Sequence, residues 1–287
     1  MQFTKATRKK AKLRLALSGP SGSGKTYSAL LLAKGLGGRI AVIDTERDSA
    51  SLYSNLLEFD ALNLTAPYTP ERYIEAIKAA EQAGYDTLII DSLSHEWSGV
   101  GGCLELVDDI AKSKYRGNSW SAWNDVTPRH RALLDAILQS PMHIIATTRA
   151  KTETAQVEEN GRKKVAKLGM KAEQREGLEY EFTVALDLVH DGHFATASKD
   201  RTGIFADKDP HPVTEETGRI LLDWLDSGEQ QPDVRSILEN IARSSSMAVL
   251  KANYEAAIQM LSPDHHPAIN KATNTRKREI EPVQEAT

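Results

Sequence analysis

Short apolar runs alternate with amphipathic ones along the first 225 residues of the chain. Segments 13–17, 40–43, 87–90, 143–147 and 182–189 are brief, mainly apolar and, after the first, rich in β-branched residues, as buried strands of a parallel sheet are. Between them, 26–36, 70–83 and 129–139 place apolar residues at helical spacing. Strand and helix in alternation predict an α/β fold with a mostly parallel central sheet flanked by helices. No internal repeat is evident. The polar, Gly- and Pro-containing stretch 226–233 reads as a linker. Beyond it, Ile237, Ile241, Leu250, Tyr254, Ile258 and Leu261 share helical faces, so 234–280 is expected to form a small α-helical module and 281–287 a frayed tail.

Composition narrows the class. With 40% hydrophobic and 26% charged residues, the 287-residue chain is an ordinary globular protein, not a collagen, a coiled coil or a disordered chain. One cysteine, Cys103, excludes an intrachain disulfide and a multi-cysteine zinc site, and it suits a reducing compartment, the cytoplasm. The longest apolar run, 29–33, is far below the roughly 20 residues that span a bilayer, so no membrane partner is expected.

One segment carries definite chemistry. Gly19-Pro20-Ser21-Gly22-Ser23-Gly24-Lys25-Thr26 satisfies the phosphate-loop pattern G-x-x-x-x-G-K-[ST] at every fixed position, with a predicted strand before it and a helix after it. In such a loop the backbone N–H groups and the helix N-terminus cradle phosphates, Lys25 reaches the outer phosphates and the Thr26 hydroxyl ligates Mg²⁺. Tyr27 directly follows and joins the expected ATP contacts. A carboxylate at a strand end is the usual second support for the metal, and Asp91 closes the run Thr87-Leu88-Ile89-Ile90. Another strand ends in Asp44-Thr45-Glu46, which sets Glu46 close to the expected phosphates, where a group that orients or deprotonates the attacking water is needed.

These features resemble the RecA-like P-loop ATPases. There, the strand after the phosphate loop's helix ends in the catalytic glutamate, which implies that role for Glu46. A later strand end senses the γ-phosphate, often with Gln, and this implies Thr148 in Met142-His143-Ile144-Ile145-Ala146-Thr147-Thr148-Arg149. Ala197-Ser198-Lys199-Asp200-Arg201-Thr202-Gly203 looks like the K-x-R-x-G motif whose Lys and Arg reach a neighbouring subunit's nucleotide, so Lys199 and Arg201 would act in trans. The order of all these motifs, together with Gly177-Leu178-Glu179-Tyr180-Glu181-Phe182-Thr183, resembles phage-encoded RecA-like ATPases whose short members serve single-strand annealing and recombination. The resemblance spans 12–225, leaving 1–11 as a basic N-terminal arm.

Net charge is −4, from 36 Lys and Arg against 40 Asp and Glu, which at face value disfavours a nucleic-acid partner. The average hides segregation. Residues 1–43 carry nine basic and no acidic side chains, whereas 44–111 sum to −11 and 203–232 to −5. Lys5, Arg8, Lys9, Lys10, Lys12 and Arg14 make the arm basic. Arg162, Lys163, Lys164, Lys167 and Lys171 form a second cluster beside the turn signal Asn160-Gly161, in the place of a DNA-contacting hairpin. Lys112, Lys114 and Arg116 lie among Trp97, Trp120 and Trp123, a mixture that suits single-stranded bases; Trp120 and Trp123, at i and i+3, suit core packing better. His190-x-x-His193 and His265-His266 lack companion ligands for a metal.

The resemblance therefore implies a Mg²⁺-dependent ATPase that oligomerises on single-stranded DNA, as a filament or ring with nucleotide at subunit interfaces, and promotes annealing. It would work in the cytoplasm of a host bacterium, with a phage or host recombination partner on the C-terminal helices. A helicase-related motor or loader, and a nucleotide-gated protein-binding module without DNA, are the alternatives.

Overall fold

A computed structural model of the chain describes residues 10–159, 162–228, 234–261 and 265–280, with 152–159 and 162–170 described through their backbone only. Lys5, Arg8 and Lys9 of the expected arm, the Asn160-Gly161 turn, most of the expected linker and the tail 281–287 lie outside the described residues. Two compact units emerge, one of them Ala11–Ser227.

In that unit the chain runs β1 (Arg14–Gly19), α1 (Lys25–Leu36), β2 (Ile40–Asp44), β3 (Asp60–Asn63), α2 (Pro70–Gln82), β4 (Thr87–Asp91), α3 (Ser94–Ser98), α4 (Cys103–Lys114), α5 (Ser119–Gln139), β5 (His143–Glu159), β6 (Arg162–Ala172), β7 (Val184–Leu188), β8 (Phe194–Asp200), β9 (His211–Pro212) and α6 (Glu215–Asp226). The strands lie in the order β3-β2-β4-β5-β1-β7-β8-β9. From β3 to β7 every pairing is parallel, and β8 and β9 add an antiparallel edge. Side chains alternate between the two faces of the sheet, and helices cover both, so both faces are apolar. Leu15 and Leu17 point into a core shared with Leu30, Leu32 and Leu221 of α1 and α6. Ala16, between them, points into the other core with Tyr73 and Ile77 of α2 and Leu133 and Ile137 of α5.

Two local features set the geometry of this frame. Gly35 of α1 and Gly218 of α6 let those helices touch, because a Cβ at either position would run into the other helix's backbone. Arg14 is buried, and its guanidinium donates to the carbonyls of Leu13, Met142, Leu138 and Ser140. It thereby satisfies acceptors that the end of α5 leaves free. Arg14 thus belongs to the fold and not to a phosphate-seeking arm, and burial pulls its guanidinium down to about 10.

Three expectations change here. The helix read over 129–139 begins at Ser119, where the Asn118 side chain accepts from the Ser121 N–H at 3.2 Å, and Pro128 is carried inside it. Trp120 on that helix is 86% exposed, so it is not a core residue, whereas Trp123 packs against the cluster of Cys103, Val107 and Val126. Finally, β5 outruns the sheet. Its pairing with β1 ends at Arg149, and from Ala150 onward it pairs antiparallel with β6.

In the other unit α7 (Val234–Ala242), α8 (Met247–Met260) and α9 (His266–Ile280) close around Ile241, Leu250, Ala257, Leu261 and Ile269. No helix among the described residues is long and apolar enough to cross a membrane.

Candidate active site

The turn between β1 and α1 suits the close approach of an anion. Gly22 and Gly24 hold φ at 76° and 88°, a region that glycine enters without penalty. Gly24 is the N-cap of α1, and no side chain caps the free N–H groups of the helix's first turn. Lys25 folds back over the loop, its Nζ donating to the Pro20 carbonyl at 2.9 Å. Burial pulls its ammonium below the usual range; Asp91 and Glu46 oppose that, and Arg149 adds to it.

Beside the loop, Thr26 Oγ1 donates to Asp91 Oδ2 at 2.6 Å and Thr147 Oγ1 donates to Asp91 Oδ1 at 2.5 Å. Asp91 is 2% exposed, and burial pushes its carboxyl upward against the pull of those two hydroxyls. The register of β2 on β4 sets Asp44 level with Asp91, so the two strand ends open on one edge of the sheet. Asp44 then shapes the loop that follows: its Oδ1 accepts from the Glu46 N–H at 2.6 Å and its Oδ2 from the Ala50 N–H at 2.9 Å. The Thr45 N–H donates to the Asp91 carbonyl at 2.7 Å, tying the two strand ends together.

Glu46 is held from across the sheet. Its Oε1 accepts from Arg149 Nε at 3.0 Å and from Nη2 at 2.8 Å, while the Arg149 N–H donates to Ser94 Oγ. Ser21, Gly22, Lys25, Thr26, Glu46, Tyr53, Asp91, Arg149, Lys151 and Glu173 line one cavity of about 590 Å³. Lysine and arginine alternate there with carboxylates, so the cavity offers both cations for phosphates and anions for a metal or a water. Tyr27 is 44% exposed and stands edge-on to Tyr53, with ring centroids 5.9 Å apart.

Other sequence candidates fall elsewhere. Thr148 is buried and its Oγ1 donates to Ser18 Oγ at 3.1 Å; the residue that reaches Asp91 is its neighbour Thr147. Lys199 Nζ donates to the carbonyls of Glu179 and Tyr180, and Arg201 Nη2 to that of Tyr180. Neither lines the cavity. Lys112 and Arg116 are exposed, Lys114 is paired with Asp125 at 2.9 Å, and Lys171 Nζ lies 3.6 Å from Glu176. Arg162, Lys163, Lys164 and Lys167 sit on β6, with side chains outside the described residues; the register sets Arg162 opposite Glu159 and Lys163 opposite Glu158.

The sequence reading missed several participants. Arg149 and Thr147 flank Thr148, and only the pairing of β5 with its neighbours distinguishes the three. His190 and His193 come from the turn after β7, and they cover the loop closely enough that a Cβ on Gly22 would lie 3.3 Å from the His190 ring. Their spacing, without companion ligands for a metal, gave no hint of this contact.

Residues 11–219 match the model of a family described as an AAA domain. No curated protein matches the chain.

Proposed function

The chain belongs to the AAA-domain family and is a nucleotide-binding P-loop protein of the ATPase type; from that premise we propose that it is a Mg²⁺-dependent ATPase that assembles on single-stranded DNA and promotes annealing or recombination. The observation that carries the reading is the ion pair between Glu46 and Arg149. Arg149 is the residue at which β5 leaves the central sheet for the ribbon it forms with β6, and Glu46 is the carboxylate offered to the attacking water. A change in either is felt by the other.

The donor set fits the metal. Thr26 Oγ1 and Asp91 Oδ2 are hard oxygen donors held together at 2.6 Å, and one or two protein oxygens are what Mg²⁺ takes when phosphates and water complete its shell. Mg²⁺ bound there would offset negative charge on the phosphates. Lys25 and the N–H groups of the loop hold the phosphates, and Glu46 orients the water and takes its proton. Thr147 positions Asp91 from the opposite side.

Lys199 and Arg201 lie away from the cavity and serve a neighbouring copy, with nucleotide between subunits of a ring or filament. Charge added in trans stabilises the transferring phosphoryl group. The basic strand β6, together with Lys112 and Arg116, takes the DNA backbone, and the C-terminal helices take a recombination partner. Such a protein acts in the cytoplasm of the bacterium that a phage infects.

The test is ATP hydrolysis with and without oligo(dT), in the wild type and in the double variant Lys163→Glu with Lys164→Glu. The expected result is stimulation by oligo(dT) in the wild type, weakened by added salt and lost in the variant. Equal rates with and without DNA in the wild type would leave the nucleotide-gated protein-binding module as the better reading.

A further inference from the structure

A second cavity, of about 570 Å³, lies away from the phosphate loop. Trp97, Trp120 and Trp123 form its walls with Arg131 and Arg175, and neither Asp nor Glu is among its lining residues. Trp97 and Trp123 are stacked, with ring centroids 5.5 Å apart and planes 24° from parallel, and the Arg175 guanidinium lies 5.8 Å over the Trp123 ring. Trp120 stands one helical turn before Trp123 and is 86% exposed, an arrangement that leaves a large aromatic face in water for no gain to the fold. Arg131 is exposed and has no carboxylate partner among the described residues.

The walls are held from beneath by one buried carboxylate. Glu96 Oε1 accepts from Cys103 Sγ at 3.0 Å and lies 3.0 Å from His130 Nδ1, and its Oε2 accepts from Gln174 Nε2 at 3.1 Å. Trp97 adjoins Glu96 in the chain and meets the His130 ring edge-to-face at 5.7 Å, while Arg175 follows Gln174. Helices α3, α4 and α5 and the segment leaving β6 are thereby joined at one point, so the aromatic walls are placed before any ligand arrives.

We propose that this cavity is a stacking site for the bases of single-stranded nucleic acid, with Trp120 as the platform and Arg131 and Arg175 on the flanking phosphates. The inference rests on the DNA reading above and assigns it a second place on the molecule. Flat π faces with cations and without acidic groups match a strand whose bases are unstacked, whereas a duplex hides its base faces. A peptide or a second copy of the chain could bring carboxylates to the arginines, but it would not present flat bases alternating with an anion at every step, as a single strand does.

The test measures binding of labelled oligo(dT), and of an abasic oligonucleotide of equal length, to the wild type, to Trp120→Ala and to the Lys163→Glu, Lys164→Glu double variant. Because Trp120 is exposed, Trp120→Ala is expected to keep the wild-type melting midpoint. It should bind oligo(dT) roughly 5- to 100-fold more weakly, the equivalent of one lost base stack, with the abasic strand little affected. Wild-type affinity in Trp120→Ala, with binding lost only in the lysine variant, would overturn the stacking site and leave the DNA reading intact. Equal binding of oligo(dT) and the abasic strand by the wild type would overturn it too, as would unchanged DNA affinity in Trp120→Ala with altered self-association in sedimentation. No binding of any oligonucleotide would overturn both readings.

Discussion

Asp91 shows how much one side chain depends on its immediate neighbours. A carboxylate this buried is costly to ionise, and here two hydroxyls, from Thr26 and Thr147, each donate to one of its oxygens. Glu46 is different: it is partly exposed and meets the guanidinium of Arg149. Replacing Glu46 with Gln keeps the shape and the hydrogen-bonding oxygen but removes the base. Hydrolysis should fall by about 10²- to 10⁴-fold while nucleotide affinity stays within a small factor, as phosphate release and nucleotide titration would report. A second residue sets an acid limit on stability. His143 is buried, its Nδ1 accepts from the Leu13 N–H at 3.1 Å, and burial pulls the imidazole down to about 4. Folding holds this ring neutral at pH values where the unfolded chain takes a proton. Its contribution is therefore whole above about pH 6.5 and is lost as pH falls toward about 4, amounting to about 3 kcal/mol. Urea unfolding of the wild type should show that loss, and His143→Gln should flatten it.

At the scale of elements, pairing and contact between helices decide what the cavity contains. The helix α1 that begins at the phosphate loop is backed by α6 through Gly35 and Gly218. Gly218→Val would force those helices apart. It should destabilise the unit by at least about 1–3 kcal/mol in urea unfolding, and because α1 carries Lys25 and Thr26, it should weaken nucleotide binding as well. An Ala at Gly37, whose Cβ would meet nothing within 4 Å, is the control for space, since only its φ of 73° counts against it. Much at this scale was legible in the chain. Apolar runs near 13, 40, 87 and 143 are strands and the amphipathic run near 70 is a helix, because an element with one covered face leaves its period in the sequence, whereas α1 is covered on most sides and is marked by the phosphate loop before it. The start of α5 at Ser119 was missed, since its first turns bury only the small Ala122 and then Val126 and carry an exposed Trp120 and an internal Pro128, although Ala122, Val126 and His130 already keep helical spacing. The strand β5 was expected to stop near its apolar run. It continues to Glu159 because β6 supplies hydrogen-bond partners for its backbone after the sheet ends.

At the scale of the whole molecule, Lys199 and Arg201 do not line the cavity, and the trans role proposed for them can be tested by mixing variants. If a neighbour's Arg201 completes each site, Arg201→Ala should lower turnover by about 10³- to 10⁵-fold. Mixing Arg201→Ala with Glu46→Gln should then recover part of the activity, because a subunit with an intact Glu46 can sit beside one with an intact Arg201. Activity that stays at the level of the separate variants would mean that each cavity is complete within one chain. The net charge of −4 also takes on a different meaning at this scale. Basic residues are concentrated in the sequence of β6, at Lys112 and Arg116, and around the tryptophan cavity, so the acidic total does not oppose the proposed nucleic-acid partner at those places. Part of the supposed basic arm is not available for that purpose: Arg14 is spent on the end of α5.

The chain alone determined what short spans of sequence encode: the strand-loop-helix of the phosphate loop, Asp91 at a strand end and Glu46 just past another, the α/β alternation and a separate helical C-terminus. Each depends on neighbours within a few residues, so spacing is enough to find it. Tertiary structure decided what depends on parallel register between distant segments. It chose Thr147 over Thr148 as the partner of Asp91, brought Arg149 to Glu46 from 103 positions away, turned Arg14 inward and left Trp120 outside. Side chains alternate along a strand, so a shift of one residue in register exchanges the inward and outward sets. No count along a single segment reveals which set faces the cavity.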